Sequence, residues 1–388
     1  MRRVLVCGLG VAGATLAWWL SEFGFEVTAV ERAPGPRTGG YMIDFWGLGY
    51  DVAERMGMLP ALKALSYGIE ELHLMRADGG RLARIGAGAV RAAMGERFFS
   101  IQRGELAAEL LRQLDGRADL RFEETVKWLT AHENAVEVGF LSGAHAHFDV
   151  VIGADGLHSR VRALAMPQAR ESPTGLWAAA FTAKGYGHRD PGAYVSYTTV
   201  GRQVARYALR DGACAFFLVF RLGGLGAQPR AVATQKALLR EAFGGEGWEC
   251  PEILAALEAA KDLYFDSVSQ VRAPTWSAGR VALVGDAAYC PSLLAGEGAS
   301  LGMAGAYLVA SSLRQARSDP WGAFRAYEAR LRPLVERKQA SALRIADWFA
   351  PRTRLGLLVR NGFSRLTSRP AFAQLLVGGM LASQLDLS

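Results

Sequence analysis

RVLVCGLGVAGATLAWWLSEFGFEVTAVER, residues 3–32, is the stretch on which the fold turns. RVLVC is a short apolar run without polar alternation, the pattern of a strand covered on both faces. AGATLAWWLSEFG has apolar positions at helical spacing, and FEVTAVER returns to a strand. Strand, helix and strand in succession form a βαβ unit, whose crossover makes the two strands parallel. Gly8, Gly10 and Gly13 spell G-x-G-x-x-G where the first strand becomes the helix, and Glu31 follows 18 residues after Gly13. Gly8 permits the tight turn, Gly10 lets the backbone approach a pyrophosphate, and Gly13 lets the helix pack on the strand. The helix N-terminus adds positive potential there. Glu31, with Arg32 beside it, is placed to accept hydrogen bonds from a ribose. The unit reads as a dinucleotide site, open at this point to FAD or NAD.

Outward from this unit, residues 102–115 form an amphipathic helix and 121–156 a meander of alternating strands ending in a buried one. From about residue 172 to 222 runs such as AYVSYTTV, QVARYAL and ACAFFLVF are joined by turn signals, including Asp211-Gly212, a strong hairpin pair. Helical patterns at 230–243 and 251–260 lead to DLYFDSVSQV, and α/β character returns at GRVALVGDAAYCPSLLAGEGASLG, residues 279–302. There a buried strand runs into Asp286, and Gly296 and Gly298 precede another helix. The expected fold is therefore α/β: a Rossmann-like dinucleotide-binding domain carrying an inserted β-sheet domain and C-terminal helices. The expected parts are 1–75, 98–170 and 272–320 for the first, 76–97 and 171–271 for the second, and 321–388 for a helical extension.

The chain has 388 residues and a formal charge of +7. From Ala350 to Ser388, five arginines (352, 354, 360, 365 and 369) face one acid, Asp386, so the excess is largely a property of the tail. No basic–aromatic interleaving accompanies it, and nucleic acid is not an expected partner. The longest uncharged stretches, 18 residues at 4–21 and 16 each at 298–313 and 370–385, fall short of the ~20 that span a bilayer, so no stable membrane insertion is expected. The scattered cysteines 7, 214, 250 and 290 form no C-x-x-C pair and suit a reducing cytoplasm. His145 and His147 share one side of a strand without a third ligand, so no metal site is expected. Trp18 and Trp19 read as core.

A second motif, DVVIGADGLHSRVR at 149–162, combines with Gly279–Gly302 and the glycine turn into a specific order. Together they resemble the single-component FAD-dependent monooxygenases of the aromatic-hydroxylase type. Within them the pattern is most similar to tetracycline-inactivating and polyketide-tailoring enzymes, on GDAAYCPSLLAGEG, DLYFDSVSQV and the long C-terminal extension.

The resemblance implies FAD as cofactor and NAD(P)H and O2 as co-substrates. It implies oxygenation of a polycyclic aromatic or polyketide-like small molecule, tetracycline-like compounds included, through a C4a-hydroperoxyflavin. The flavin carries the chemistry, so no catalytic side chain is required. By the same likeness Asp286 receives a ribityl hydroxyl, Gly296 and Gly298 approach the flavin pyrimidine, Asp155 and Gly156 lie near the pyrophosphate, and Arg103 lies beside the ribityl–phosphate. Tyr41, Asp44 and Trp46 follow the Glu31-Arg32 strand toward the flavin and substrate. Phe181, Tyr197, Phe220 and Arg221 of the inserted sheet are candidate substrate contacts, with Leu293. Two positions depart from the family pattern: Leu293 replaces a proline and Glu297 a glutamine. Glu297 either opposes anionic reduced flavin or points to solvent and complements its helix dipole. An FAD-dependent reductase or dehydrogenase of the same fold, or a non-catalytic flavin-fold binding protein, is the alternative. A monomer or a homodimer is equally compatible with the sequence.

Overall fold

The computed structural model describes residues 3–36, 41–86, 88, 97–187, 189–223, 228–316, 318–367 and 387. Its first layer is a six-stranded sheet ordered Ser277–Ala278, Val281–Leu283, Val150–Gly153, Arg3–Cys7, Glu26–Glu31, Asp119–Phe122. Arg3–Cys7 runs parallel to both Glu26–Glu31 and Val150–Gly153, and Val281–Leu283 is parallel to Val150–Gly153. The expected βαβ start is therefore present, and the motif strands stand side by side although far apart in sequence. The reason is visible in the residues: Val4, Leu5, Val6, Val150, Val151, Ile152, Val281, Ala282 and Leu283 are all buried, as central parallel strands require.

The helix Val11–Glu22 lies over this sheet with Trp18 and Trp19 buried, as expected of core residues. Beside it runs the helix Gly298–Gln315, and Trp19 meets Tyr307 edge-on at 4.8 Å. An antiparallel three-stranded sheet (Val126–Ala131, Val136–Phe140, His145–Phe148) carries the chain into Val150–Gly153.

The second layer is a seven-stranded sheet ordered Tyr264–Arg272, Arg170–Lys184, Ala213–Arg221, Arg202–Ala208, Ala193–Thr199, Glu71–Met75, Arg81–Gly86. Glu71–Met75 pairs in parallel with Ala193–Thr199, so this sheet takes up the chain several residues before position 76. Residues 87 and 89–96 of the expected insertion, and 368–386 of the tail, lie outside the described residues. One face of the sheet is covered by the helices Val232–Phe243 and Cys250–Ala259, through Leu239, Phe243, Ile253 and Leu257. The other faces the first layer across the two-stranded ribbon Met42–Trp46 with Phe98–Gln102. The helix Pro320–Phe349 runs along both layers.

Candidate cofactor and substrate site

Three turns meet at the C-terminal ends of the parallel strands, where an open α/β sheet offers its crevice. At the first turn Gly8 donates its N–H to Val30 O at 2.7 Å with φ at 96°, a left-handed conformation that favours glycine. A β-carbon on Gly8 would lie 2.6 Å from the carbonyl oxygen of Ala154, and one on Gly13 only 1.8 Å from that of Gly8. A β-carbon on Gly10 would meet nothing within 4 Å. The sequence role given to each glycine thus has a spatial counterpart: two are jammed against backbone and one faces open space. The helix beginning at Val11 has no side-chain cap and no acid in its first turn, which leaves its N–H groups and positive end available to an anion. Both Glu31 oxygens accept backbone N–H groups, from Leu9 and Ala33 at 2.9 Å each. The carboxylate therefore pins the turn and keeps lone pairs for a further donor, whereas Arg32 is exposed.

In the second turn, Asp155 is an anchor. One carboxylate oxygen accepts from Ser159 Oγ at 2.5 Å, the other from the backbone N–H groups of Arg160 and Val161 at 2.7 and 3.1 Å. Burial raises its pKa and these donors pull it back. Gly156 follows it at the surface of the same turn. Arg162, quoted with the motif but given no role, is buried and donates to Ala287 O at 3.0 Å and Leu157 O at 2.6 Å. It ties the second turn to the third. Its signal in the sequence was the arginine at fixed spacing after Asp155, which looked like an ordinary helix cation.

The third turn carries Asp286. A β-carbon on the preceding Gly285 would stand 2.8 Å from Ala12 Cβ, so the first and third turns touch. Gly298, at the start of its helix, lies against the Asp286 carboxylate, 3.6 Å from where its β-carbon would be. Gly296 has φ at 71° and nothing within 4 Å of a β-carbon. Burial raises the Asp286 pKa, and the Arg103 guanidinium lowers it. Arg103 enters from the head of helix Arg103–Arg112, its N–H bonded to Tyr41 O at 3.2 Å. Its pKa is raised, chiefly by Tyr41 with Asp286 adding, against desolvation, and it forms no ion pair among the described residues. Open glycines, two uncapped helix N-termini, an unpaired arginine and a ribose-ready carboxylate fit a flavin dinucleotide.

Beside these turns, aromatic and polar side chains of the ribbon and of the seven-stranded sheet lie together. Tyr41, enclosed so that its pKa is pushed up to about 12, packs 5.7 Å from Phe217 and 5.8 Å from Tyr264. Leu293 packs in the same apolar cluster with Phe217, Val219 and Phe349. Asp44 accepts from Ser100 Oγ at 2.7 Å. Protein around it raises its pKa, yet its side chain reaches water. Tyr194 and Tyr207 stack nearby at 6.1 Å. The Tyr207 hydroxyl and the Gln102 amide nitrogen are buried without a hydrogen-bond partner. They are close enough to influence one another, but not in hydrogen-bonding geometry. Trp46 is half-buried at the ribbon's end, its carbonyl accepting from Ser300 Oγ at 3.2 Å.

Three expected substrate contacts, Phe181, Tyr197 and Phe220, lie on the helix-covered face of the sheet, the side opposite Tyr41 and Leu293. Phe181 stacks on Phe216 at 4.8 Å, Phe220 meets Phe243 at 5.8 Å, and the Tyr197 hydroxyl reaches Glu246 at 3.4 Å. ACAFFLVFR is apolar on both faces, so alternation could not say which side looks inward; the odd-numbered set, Phe217 and Val219, does. Arg221 ends that set, but its guanidinium is held by Asp347 at 2.6 Å and Ala350 O at 2.9 Å. Glu297 follows neither expected course: it is ion-paired with Lys338 at 2.7 Å.

The doubly layered fold, with its three converging turns, defines a dinucleotide-dependent oxidoreductase. No family model matches the chain. It is 32% identical over 365 residues to a flavin-dependent monooxygenase from an unknown prokaryotic organism, 90% of each chain being covered. A second flavin-dependent monooxygenase, from Legionella longbeachae, is 30% identical over 89% of each chain. Among solved structures, the tetracycline destructase Tet(51) superposes with a TM-score of 0.85 at 28% identity, covering 100% of both chains. The chain belongs to the flavin-dependent monooxygenases, and its cofactor is FAD.

Proposed function

We propose that this monooxygenase uses NAD(P)H and O2 to oxygenate a polycyclic, oxygen-rich aromatic or polyketide-like molecule. The observation that carries the substrate class is the set of side chains between ribbon and sheet, which combines an aromatic wall of Tyr41, Phe217 and Tyr264 with a polar end at Asp44, Gln102 and Tyr207. Flat rings stack on such a wall. Unpaired buried donors and a carboxylate reward hydroxyl and keto groups and reject an unsubstituted hydrocarbon. The solved tetracycline destructase is a structural relative of matching chemistry.

In this reading the amides after Gly10 hold the pyrophosphate, Glu31 the adenosine ribose, and Arg103 and Asp286 the ribityl–phosphate region. The turn at Gly296 and Gly298 backs the flavin pyrimidine. Bound FAD supplies hydride acceptance and oxygen activation. The chain orients the substrate, and the apolar wall of Val219, Leu293 and Leu294 keeps water from the reacting edge. Asp44, held by Ser100, accepts a substrate hydroxyl or gives up a proton to it, a role its raised pKa suits.

The test is NAD(P)H oxidation and product analysis under 18O2 with FAD-loaded protein and a panel of polycyclic phenols and tetracyclines. Substrate-stimulated oxidation with one labelled oxygen in the product is the expected result. Flavin reduction without labelled product from any member would favour a reductase and overturn the reading.

A further inference from the structure

The segment joining Asp286 to its helix is strained. Ser292 has φ at 114°, a conformation that a non-glycine residue keeps only where the surroundings hold it, while Gly296 at φ 71° takes up the left-handed region at no such cost. Glu297 stands at the N-cap of the Gly298–Gln315 helix, yet its side chain does not cap that helix. It turns outward to Lys338 Nζ at 2.7 Å, and both side chains are largely buried, at 15% and 18% exposure. Lys338 comes from the long helix Pro320–Phe349, and its ammonium lies 5.6 Å from the centre of the Trp46 ring. Trp46 is tied in turn to Ser300 in the first turn of the glycine-led helix. Two carboxylates therefore flank this helix end: Glu297 is ion-paired with Lys338, whereas Asp286 feels the Arg103 guanidinium without an ion pair among the described residues.

We infer that Lys338 is a positioning residue for the cofactor. By binding Glu297 it keeps that carboxylate off the helix N-terminus, leaving the positive end free for the flavin and holding the strained turn in its binding shape. Without Lys338 the nearest stabilising partners for a buried Glu297 carboxylate are the uncapped N–H groups of Gly298, Ala299 and Ser300. A carboxylate there competes with the flavin edge and repels the negative charge it gains on reduction. The inference rests on the FAD reading and goes beyond it by giving a role to a residue on a distant helix.

The experiment is a double-mutant cycle of Lys338→Met, Glu297→Gln and the pair. FAD affinity is read by flavin fluorescence titration and the midpoint potential by dye-coupled reduction, with apo-protein melting as the folding control. Lys338→Met is expected to weaken FAD binding by about tenfold or more, since orphaning one member of a largely buried pair is costly, and to lower the flavin potential. The double variant is expected to return both quantities close to wild type, because the offending carboxylate is gone. A folded Lys338→Met protein with unchanged affinity and potential overturns the inference. So does a double variant as impaired as Lys338→Met, which would make Lys338 a plain packing residue. Wild-type protein that takes up no FAD would instead sink the flavin reading, and this inference with it.

Discussion

A methyl group added at Gly13 would sit 1.8 Å from the Gly8 carbonyl oxygen, and the same methyl at Gly10 would touch nothing. The two substitutions therefore separate folding from cofactor binding. Gly13→Ala must move backbone against backbone, a cost of at least ~1–3 kcal/mol, and should lower the melting temperature of the apo-protein. Gly10→Ala should leave the apo melting curve unchanged and reduce retained flavin, read as absorbance per protein after desalting. Equal melting shifts for both would mean that the open space at Gly10 is not where the cofactor lies. Phe181 and Phe217 make a second pair, set on opposite faces of one sheet. Phe181→Ala empties a fully enclosed site and should cost about 3–5 kcal/mol in urea unfolding. Phe217 packs on the face toward Tyr41 and Leu293, and on the proposed reading Phe217→Ala should chiefly raise the KM for the oxygenated substrate. If Phe181→Ala moved KM and Phe217→Ala did not, the inward face would be the other one.

At the level of elements, the loop after Gly156 is clamped to the seven-stranded sheet. His158 lies 2.9 Å from Glu171 on strand Arg170–Lys184 and 3.0 Å from Asp266 on strand Tyr264–Arg272. These two carboxylates hold its pKa up at about 10, against an ordinary 6.5. A folded-state pKa above the unfolded one contributes stability that is whole below pH 6.5 and fades as pH rises through 10. Melting temperature should therefore fall from pH 6.5 to 10 more steeply in the wild type than in His158→Asn. Parallel curves would show that the clamp adds nothing. The elements around it were legible to different degrees. The βαβ start, Asp155 and Asp286 could be read because each motif couples a residue type to a strand end. The direction of the inserted sheet could not, since strands with two apolar faces carry no alternation. Nor could Arg162 or Lys338 be assigned, because their partners lie 125 and 41 residues away and no local pattern marks them.

For the whole molecule, the helix Pro320–Phe349 joins what the chain otherwise keeps as two layers. Near its start, Tyr327 donates to Leu283 O at 3.0 Å in the cofactor sheet, and Glu328 accepts from Trp276 N at 2.9 Å. Further along, buried Gln339 donates to Val271 O at 2.7 Å and receives Gln270 Nε2 on its backbone carbonyl at 2.7 Å. At its end Asp347 holds Arg221 of the seven-stranded sheet. The amide of Gln339 also lies 3.3 Å from Cys290 O, immediately before the strained turn. The helix thus reaches the Asp286–Gly298 turn, the strand beside it and the far sheet from one continuous element. Coupling of this kind predicts that flavin release and loss of ellipticity occur at the same temperature, because neither layer can loosen alone. Gln339→Leu keeps the volume but leaves the Val271 carbonyl without its side-chain donor. It should cost about 1–3 kcal/mol and move both transitions down together. Flavin fluorescence appearing well before secondary structure is lost, in the wild type, would show that the cofactor layer opens by itself and that the helix is a cover, not a strap.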